Sequence, residues 1–437
     1  MSTKKKNSIP LRQNRRRFLK TILATSLAPM IVPASVLGRG GAVSPSNRIV
    51  FGVIGFGGRA RSILQSFMAF PEVQMVAISD CRKANRDDGR NIVNAYYNNQ
   101  DCASIHDFRD LLARKDIDAT FIATGMRWHG LASIYAARAG KDIYCEKPVT
   151  LSMNEGRMLV ETCKRFGTIY QAGTQRRGTG SYKFARQMVL EGKIGALKKV
   201  EMQLWTGGAV RPEKPIPVPE GWDWEMWLGQ TPWKPFTWGV AGGGWNYFWD
   251  TAEGAMTDMG CHYTDQMQWV LGTDLELPVE YSGEGVFPDP KEFISDTPLT
   301  GEWHCRYSNG VEGVMYQRAG FEDRYITYIG EEGWIRVDDQ TDIVTSAPDS
   351  IARLRTAGGA GWDDASSHIR NLLDCIRSRQ QPDCNPTVAH HAMAIAQAWN
   401  LALRLDKKLT WNNRTQRFDD ETANKMMYRE PRAPWVI

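Results

Sequence analysis

Between Arg48 and Ala60 an apolar run, Ile49-Val50-Phe51-Gly52-Val53-Ile54, breaks at Gly55-Phe56-Gly57-Gly58-Arg59 and continues with helical spacing. Nothing else in the chain restricts the fold as much. Gly55 permits a tight turn, Gly57 keeps the backbone bare toward an anion, and Ala60 lets the helix pack closely on the strand. A helix beginning here aims its free N–H groups and the positive end of its dipole across the turn. A second strand over 74–79 ends at Asp80, twenty residues beyond Ala60. Strand, turn, helix and acid stand in the order that a dinucleotide-binding βαβ unit requires. A carboxylate at Asp80 accepts from a ribose 2′-hydroxyl and repels a 2′-phosphate, so NAD is the expected cofactor, and Arg82 nearby keeps NADP as the alternative.

Strands at 119–123, 142–145 and 168–172 alternate with helical stretches at 110–115, 128–138 and 153–165. That alternation predicts a doubly wound parallel sheet of about six strands. The texture then changes to a helix at 181–191, a strand at 197–205, a Pro- and Trp-rich stretch, and strands at 281–286, 302–307 and 313–318. The last two flank Ser308-Asn309-Gly310, a hairpin signal. The expected class is α/β: an N-terminal Rossmann domain over 47–172, then an α+β domain over 173–437 with an open, mostly antiparallel sheet. Two late helices, 368–379 and 388–405, are expected to pack across the junction, with His390 and His391 as packing or surface residues rather than ligands.

The net charge of +5 misleads, because eight Lys or Arg and no acid lie in the first 20 residues, leaving the remainder at −3. Such a body gives no electrostatic case for nucleic-acid binding. Arg15-Arg16-Arg17-Phe18-Leu19-Lys20 precedes a short apolar stretch over 21–37 and resembles a twin-arginine export signal, so residues 1–46 are read as signal and linker and the protein as periplasmic; a basic tail is the alternative. No apolar run approaches the twenty residues of a membrane span. The eight cysteines are scattered without a Cys-x-x-Cys pair, which signals neither a disulfide framework nor zinc.

Glu146-Lys147-Pro148 follows the strand ending at Cys145, at the carboxyl edge of the sheet where open α/β folds bind ligands. Further on, Asp258, His262 and Asp265 fall at i, i+4 and i+7 of a helical stretch. An imidazole flanked by carboxylates suits a general base that removes a hydroxyl proton during hydride transfer, with Asp258 orienting the ring. A lysine beside that hydroxyl would stabilise developing alkoxide charge. The plainer alternative makes Asp258 a helix cap and His262 a core residue. No third ligand at a recognisable spacing supports a metal site.

These motifs in order, together with Thr124 followed by His129 and Gly173-Thr174-Gln175-Arg176-Arg177, resemble the glucose-fructose oxidoreductase, inositol dehydrogenase and MocA family from about residue 48 to the end. The resemblance implies that Lys147 and His262 face the substrate with Asp258 beside them. It also implies that Thr124, Glu146 and Gln175 line the nicotinamide side, and that a homo-oligomer, dimer or tetramer, forms. His129 joins Gly55, Phe56, Gly57, Gly58, Arg59, Asp80 and Lys147 in the expected cofactor set, and Arg176 in the substrate set. Many relatives carry Thr-Pro where this chain has Thr124-Gly125. The implied substrate is a sugar or glycoside oxidised at a ring hydroxyl, C3 being a candidate, with NAD-assisted glycoside hydrolysis or mere sugar or nucleotide binding as alternatives. Eight of the sixteen tryptophans lie between Trp205 and Trp249. Most are expected in the core, while Trp245 and Tyr247 are the candidates for stacking on a sugar.

Overall fold

In the computed structural model residues 43–320, 323–339, 343–346 and 365–435 are described; the expected export signal falls outside them except for its last residues, 43–46. Residues Ile49–Ile437 form one unit, separate from Met1–Arg48.

The unit begins with alternating elements: β1 (Ile49–Ile54), α1 (Gly58–Met68), β2 (Val73–Ser79), α2 (Lys83–Tyr97), β3 (Ala103–Ile105), α3 (Phe108–Leu112), β4 (Ala119–Ile122), α4 (Met126–Arg138), β5 (Asp142–Cys145), α5 (Met153–Phe166) and β6 (Tyr170–Ala172). The six strands pair in parallel in the order β3-β2-β1-β4-β5-β6. The order reverses between β1 and β4, so their connections leave on opposite faces and open a crevice at the strands' carboxyl ends. Parallel sheets of this kind are covered on both faces. One face carries Phe51, Phe121 and Tyr144 against Phe67 of α1, with ring centroids 5.0–5.5 Å apart. A helix from far along the chain, Ser366–Ser378, adds Ile369, Leu372 and Leu373 to that cluster.

The remaining strands are β7 (Leu197–Leu204), β8 (Glu280–Val286), β9 (Thr300–Arg306), β10 (Glu312–Gln317), β11 (Tyr325–Gly330), β12 (Trp334–Asp338), β13 (Ile343–Thr345), β14 (Leu409–Asn412) and β15 (Arg417–Phe418). They form a nine-stranded sheet ordered β13-β12-β11-β7-β10-β9-β8-β14-β15, antiparallel except for β7 with β10. The β9–β10 hairpin turns at Gly310, whose φ of +87° favours glycine. Alternation sends Val200, Met202, Trp303 and Met315 inward against Tyr182, Tyr263, Met267 and Trp399 of the helices Gly180–Leu190, Gly260–Leu271 and Pro386–Leu405. The open face carries ion pairs such as Arg318–Glu302 at 2.7 Å and Arg306–Glu280 at 2.6 Å. Among the described residues no helix is long and apolar enough to cross a membrane.

Candidate functional site

Gly55 turns at φ +84° and donates to the Ser79 carbonyl at 2.7 Å; a Cβ there would lie 2.8 Å from the Thr124 backbone. A Cβ at Gly57 or Gly58 would meet nothing within 4 Å, so the start of α1 is bare. Both carboxylate oxygens of Asp80 accept a backbone N–H at 2.7 Å, one from Phe56 in the turn and one from Arg82. The acid thus holds the glycine turn while remaining on the groove. A cavity of about 330 Å³ runs along these residues, with Gly57, Asp80, Thr124 and Arg127 on one side and Trp227 and Trp245 from the Trp-rich segment on the other. The bare glycines at a helix N-terminus, the acid at the end of β2 and the cavity between them fit a dinucleotide.

At the next strand end, Lys147 Nζ donates to Asp258 Oδ1 at 2.8 Å and to the Asp258 carbonyl at 2.9 Å. Asp258 closes the short helix Ala255–Asp258, and His262 stands in the first turn of Gly260–Leu271. The Lys147–Pro148 bond is cis. Burial alone would lower the Lys147 pKa, but Asp258, Cys261 and Glu146 together hold it above the usual lysine value. His262 is 4% exposed and its Nδ1 has no hydrogen-bond partner. Burial first, then the charges of Arg176, Lys147, Arg59 and Arg324, push its pKa well below 6.5, so the ring is a neutral acceptor near pH 7.

Two expected arrangements are corrected. Asp258 does not orient His262, because its carboxylate is committed to Lys147. Asp265 does not flank the ring either, since it accepts from Arg177 Nε at 2.9 and 3.0 Å. The helix break at Met259 separates Asp258 from the axis of the following helix, so i, i+4 spacing does not bring the two side chains together.

Other candidates act at one remove. His129 spans the Pro148 carbonyl at 2.6 Å and the Thr124 carbonyl at 3.0 Å, so it ties the β4 loop to the β5 loop rather than lining the cavity; burial brings its pKa to about 4. Gln175 donates to Glu146 and to Tyr144, each at 3.0 Å, and Arg59 Nε lies 3.1 Å from the same Glu146 oxygen. Arg176, expected at the substrate, is buried against Asp339 and donates to Tyr182 at 3.1 Å. Tyr247 packs on Gly208, away from the cavity. Trp245 lines the nucleotide groove. Trp222, Trp224 and Trp227 build a satellite core, with Trp224 and Trp227 stacked at 4.4 Å, while Trp205 and Trp249 pack on the core of the second sheet and Trp233 and Trp238 are exposed.

Arg127 and Trp227 escaped the sequence reading as groove residues. A signal existed for the first: Arg127 stands among apolar residues with no acid within four positions on either side.

The parallel sheet with its glycine turn, followed by a mixed sheet whose helices bring Asp258 and His262 to the end of β5, defines a two-part dinucleotide-dependent oxidoreductase fold. Residues 49–174 match the family described as "Oxidoreductase family, NAD-binding Rossmann fold", and residues 187–437 match "Oxidoreductase family, C-terminal alpha/beta domain". The chain belongs to this GFO/IDH/MocA oxidoreductase family. It is 23% identical over 261 residues to a 1,5-anhydro-D-fructose reductase of Ensifer adhaerens, covering 59% of this chain and 66% of the reductase. It is 29% identical over 172 residues to a glycosyl hydrolase family 109 protein of Shewanella, covering 35% and 37%. The chain therefore spans less than two thirds of either relative. The WlbA dehydrogenase of Bordetella pertussis, solved with NADH and UDP-GlcNAcA, shares the fold with a TM-score of 0.64 over 84% of this chain and 99% of that one, at 17% identity.

Proposed function

We propose that the protein oxidises a ring hydroxyl of a sugar or glycoside, C3 being the candidate position. The observation that carries this reading is the Lys147–Asp258 pair, which joins the carboxyl end of β5 to the helix break beside a buried, neutral His262. A bound nicotinamide supplies the hydride acceptor. Lys147, fully charged, stabilises the developing alkoxide, and Asp258 fixes the ammonium by two contacts. His262 takes the hydroxyl proton as the C–H hydride leaves and the carbonyl forms. Glu146, Gln175 and Arg59 brace the strand end from which Lys147 projects. The reductase relative supports sugar-like substrates.

A second reading, NAD-assisted glycoside hydrolysis through transient C3 oxidation, is favoured by the similarity to the Shewanella glycosyl hydrolase. Protein purified with its nucleotide and mixed anaerobically with sugars and aryl glycosides separates the two. Lasting absorbance of reduced nicotinamide without aglycone release supports the dehydrogenase; release without lasting reduction supports the hydrolase. Silence in both channels overturns both and leaves a binding protein.

Export through the twin-arginine route belongs to the same proposal, on the strength of Arg15-Arg16-Arg17 and the apolar stretch after it. Changing Arg15, Arg16 and Arg17 to Lys should retain the protein in the cytoplasm, and unchanged fractionation would refute the route. Homo-oligomer formation is proposed too, and sedimentation of the purified chain checks it.

A further inference from the structure

Arg127 stands in the first turn of α4, three residues after Thr124, and reaches the nucleotide groove. It is 3% exposed. Its Nε donates to the Trp227 carbonyl at 2.6 Å, and its guanidinium carbon lies 3.6 Å from the Trp227 ring centroid and 5.2 Å from that of Trp245. Its Nη1 has no hydrogen-bond partner, and among the described residues no carboxylate is paired with it. Burial lowers the guanidinium pKa to about 10, with Cys81 and the Asp80 carboxylate on the same groove acting against it, which leaves it charged at neutral pH. Stacking on indole faces offsets part of the desolvation of such a cation but supplies no acceptor for its remaining N–H groups.

A buried charge with no ion-pair partner in contact is destabilising and is ordinarily paired. The groove it lines is the proposed nucleotide site, and the formal negative charges of a dinucleotide reside on its phosphates. The geometry points to Arg127 as a phosphate contact of the bound dinucleotide, one that also links the Trp227 and Trp245 wall to nucleotide occupancy. This rests on reading the groove as a nucleotide site. Thr124-Gly125 has a part in it: a Cβ at Gly125 would lie 2.5 Å from Arg127 Nη1, so glycine there gives the guanidinium its room.

The test is a titration of nucleotide-stripped full-length protein with NAD, NADP, ADP-ribose and adenosine, followed by tryptophan fluorescence, for the wild type, Arg127→Met and Arg127→Lys. Arg127→Met should weaken NAD and ADP-ribose binding by about tenfold or more, leave adenosine unchanged, and flatten the salt dependence of binding; Arg127→Lys should recover part of the loss. Loss confined to NADP would assign the contact to the 2′-phosphate rather than the diphosphate. Equal loss for adenosine, or no loss for any ligand, overturns the inference. A wild type that binds none of the four refutes the nucleotide reading itself, and the inference with it.

Discussion

Two segments that follow strands of the parallel sheet handle buried arginines in opposite ways. After β6, Gly173–Arg177 sends Arg176 to Asp339 and Arg177 to both Asp265 and Asp274, each partner coming from the later part of the chain. After β4, Thr124–His129 sends Arg127 to two indole faces and one carbonyl, with no carboxylate. Paired guanidinia act as rivets from the end of β6 to the helix Gly260–Leu271 and to the end of β12. Arg127 instead faces a cavity, with Asp80 acting on it through space but no carboxylate in ion-pair contact. Motif membership alone distinguishes neither case, since both arginines of the first segment lie in a motif expected to face cofactor and substrate.

The contrast meets its hardest test at Lys147, which is paired like the rivets yet placed in the chemistry. Lys147→Met should lower kcat/KM by about a thousandfold or more while nucleotide affinity stays within about twofold; steady-state kinetics beside a fluorescence titration would show it, and near-normal turnover would remove Lys147 from the mechanism. Next is Arg177→Met, which leaves Asp265 buried and unpaired and should cost about 3–5 kcal/mol in denaturant unfolding. Arg127→Met loses one neutral acceptor and a stacked face but also removes a buried charge without an ion-pair partner, so without nucleotide it should change stability by no more than about 1 kcal/mol. Equal losses in these two variants would erase the contrast.

Acid provides a subtler probe. His129, His368 and His390 are held by burial at about 4, 4 and 3, below the 6.5 of an unfolded chain. The unfolded state therefore binds more protons below pH 6.5, and stability falls as pH drops from there toward 4. At pH 5 each contributes a loss on the order of 2 kcal/mol, and His390→Gln should flatten the profile by one such share in melts taken from pH 7 to 5. The smallest expected effect is in the pH–rate profile. Because burial and four nearby cations depress His262, the acid limb of kcat/KM should lie below 6.5, with no inflection at 6.5 itself. A limb at 6.5 that vanishes in His262→Ala would mean the ring is better solvated than the structure indicates.

The first sheet was largely legible because each signal was local. Gly55 to Ala60, Asp80 and Glu146-Lys147 all sit at strand ends that apolar runs reveal. The second sheet was half legible. β7 through β10 showed as runs of β-formers with a hairpin turn, whereas β11 to β15 escaped; β13 and β15 have only three and two residues. The candidate site was read as a set of residues but not as a set of partnerships. The break at Met259, which gives Asp258 to Lys147, leaves no trace in a count of i, i+4 positions. Likewise, Arg176 and Arg177 are adjacent in a motif whose partners lie 163 and 88 residues away.

The parallel pairing of β7 with β10 has a consequence for how such a chain can diversify. Parallel neighbours need a long crossover, and here the excursion between Leu204 and Glu312 carries the Trp-rich wall, Asp258 and His262, with β8 and β9 returning to the sheet before β10 closes it. The central ladder is thus a fixed frame, while its interior insert behaves as an exchangeable cartridge. Changes within 205–250 would therefore be felt first along the nucleotide groove, through Trp227 and Trp245, while the β7–β10 register is untouched.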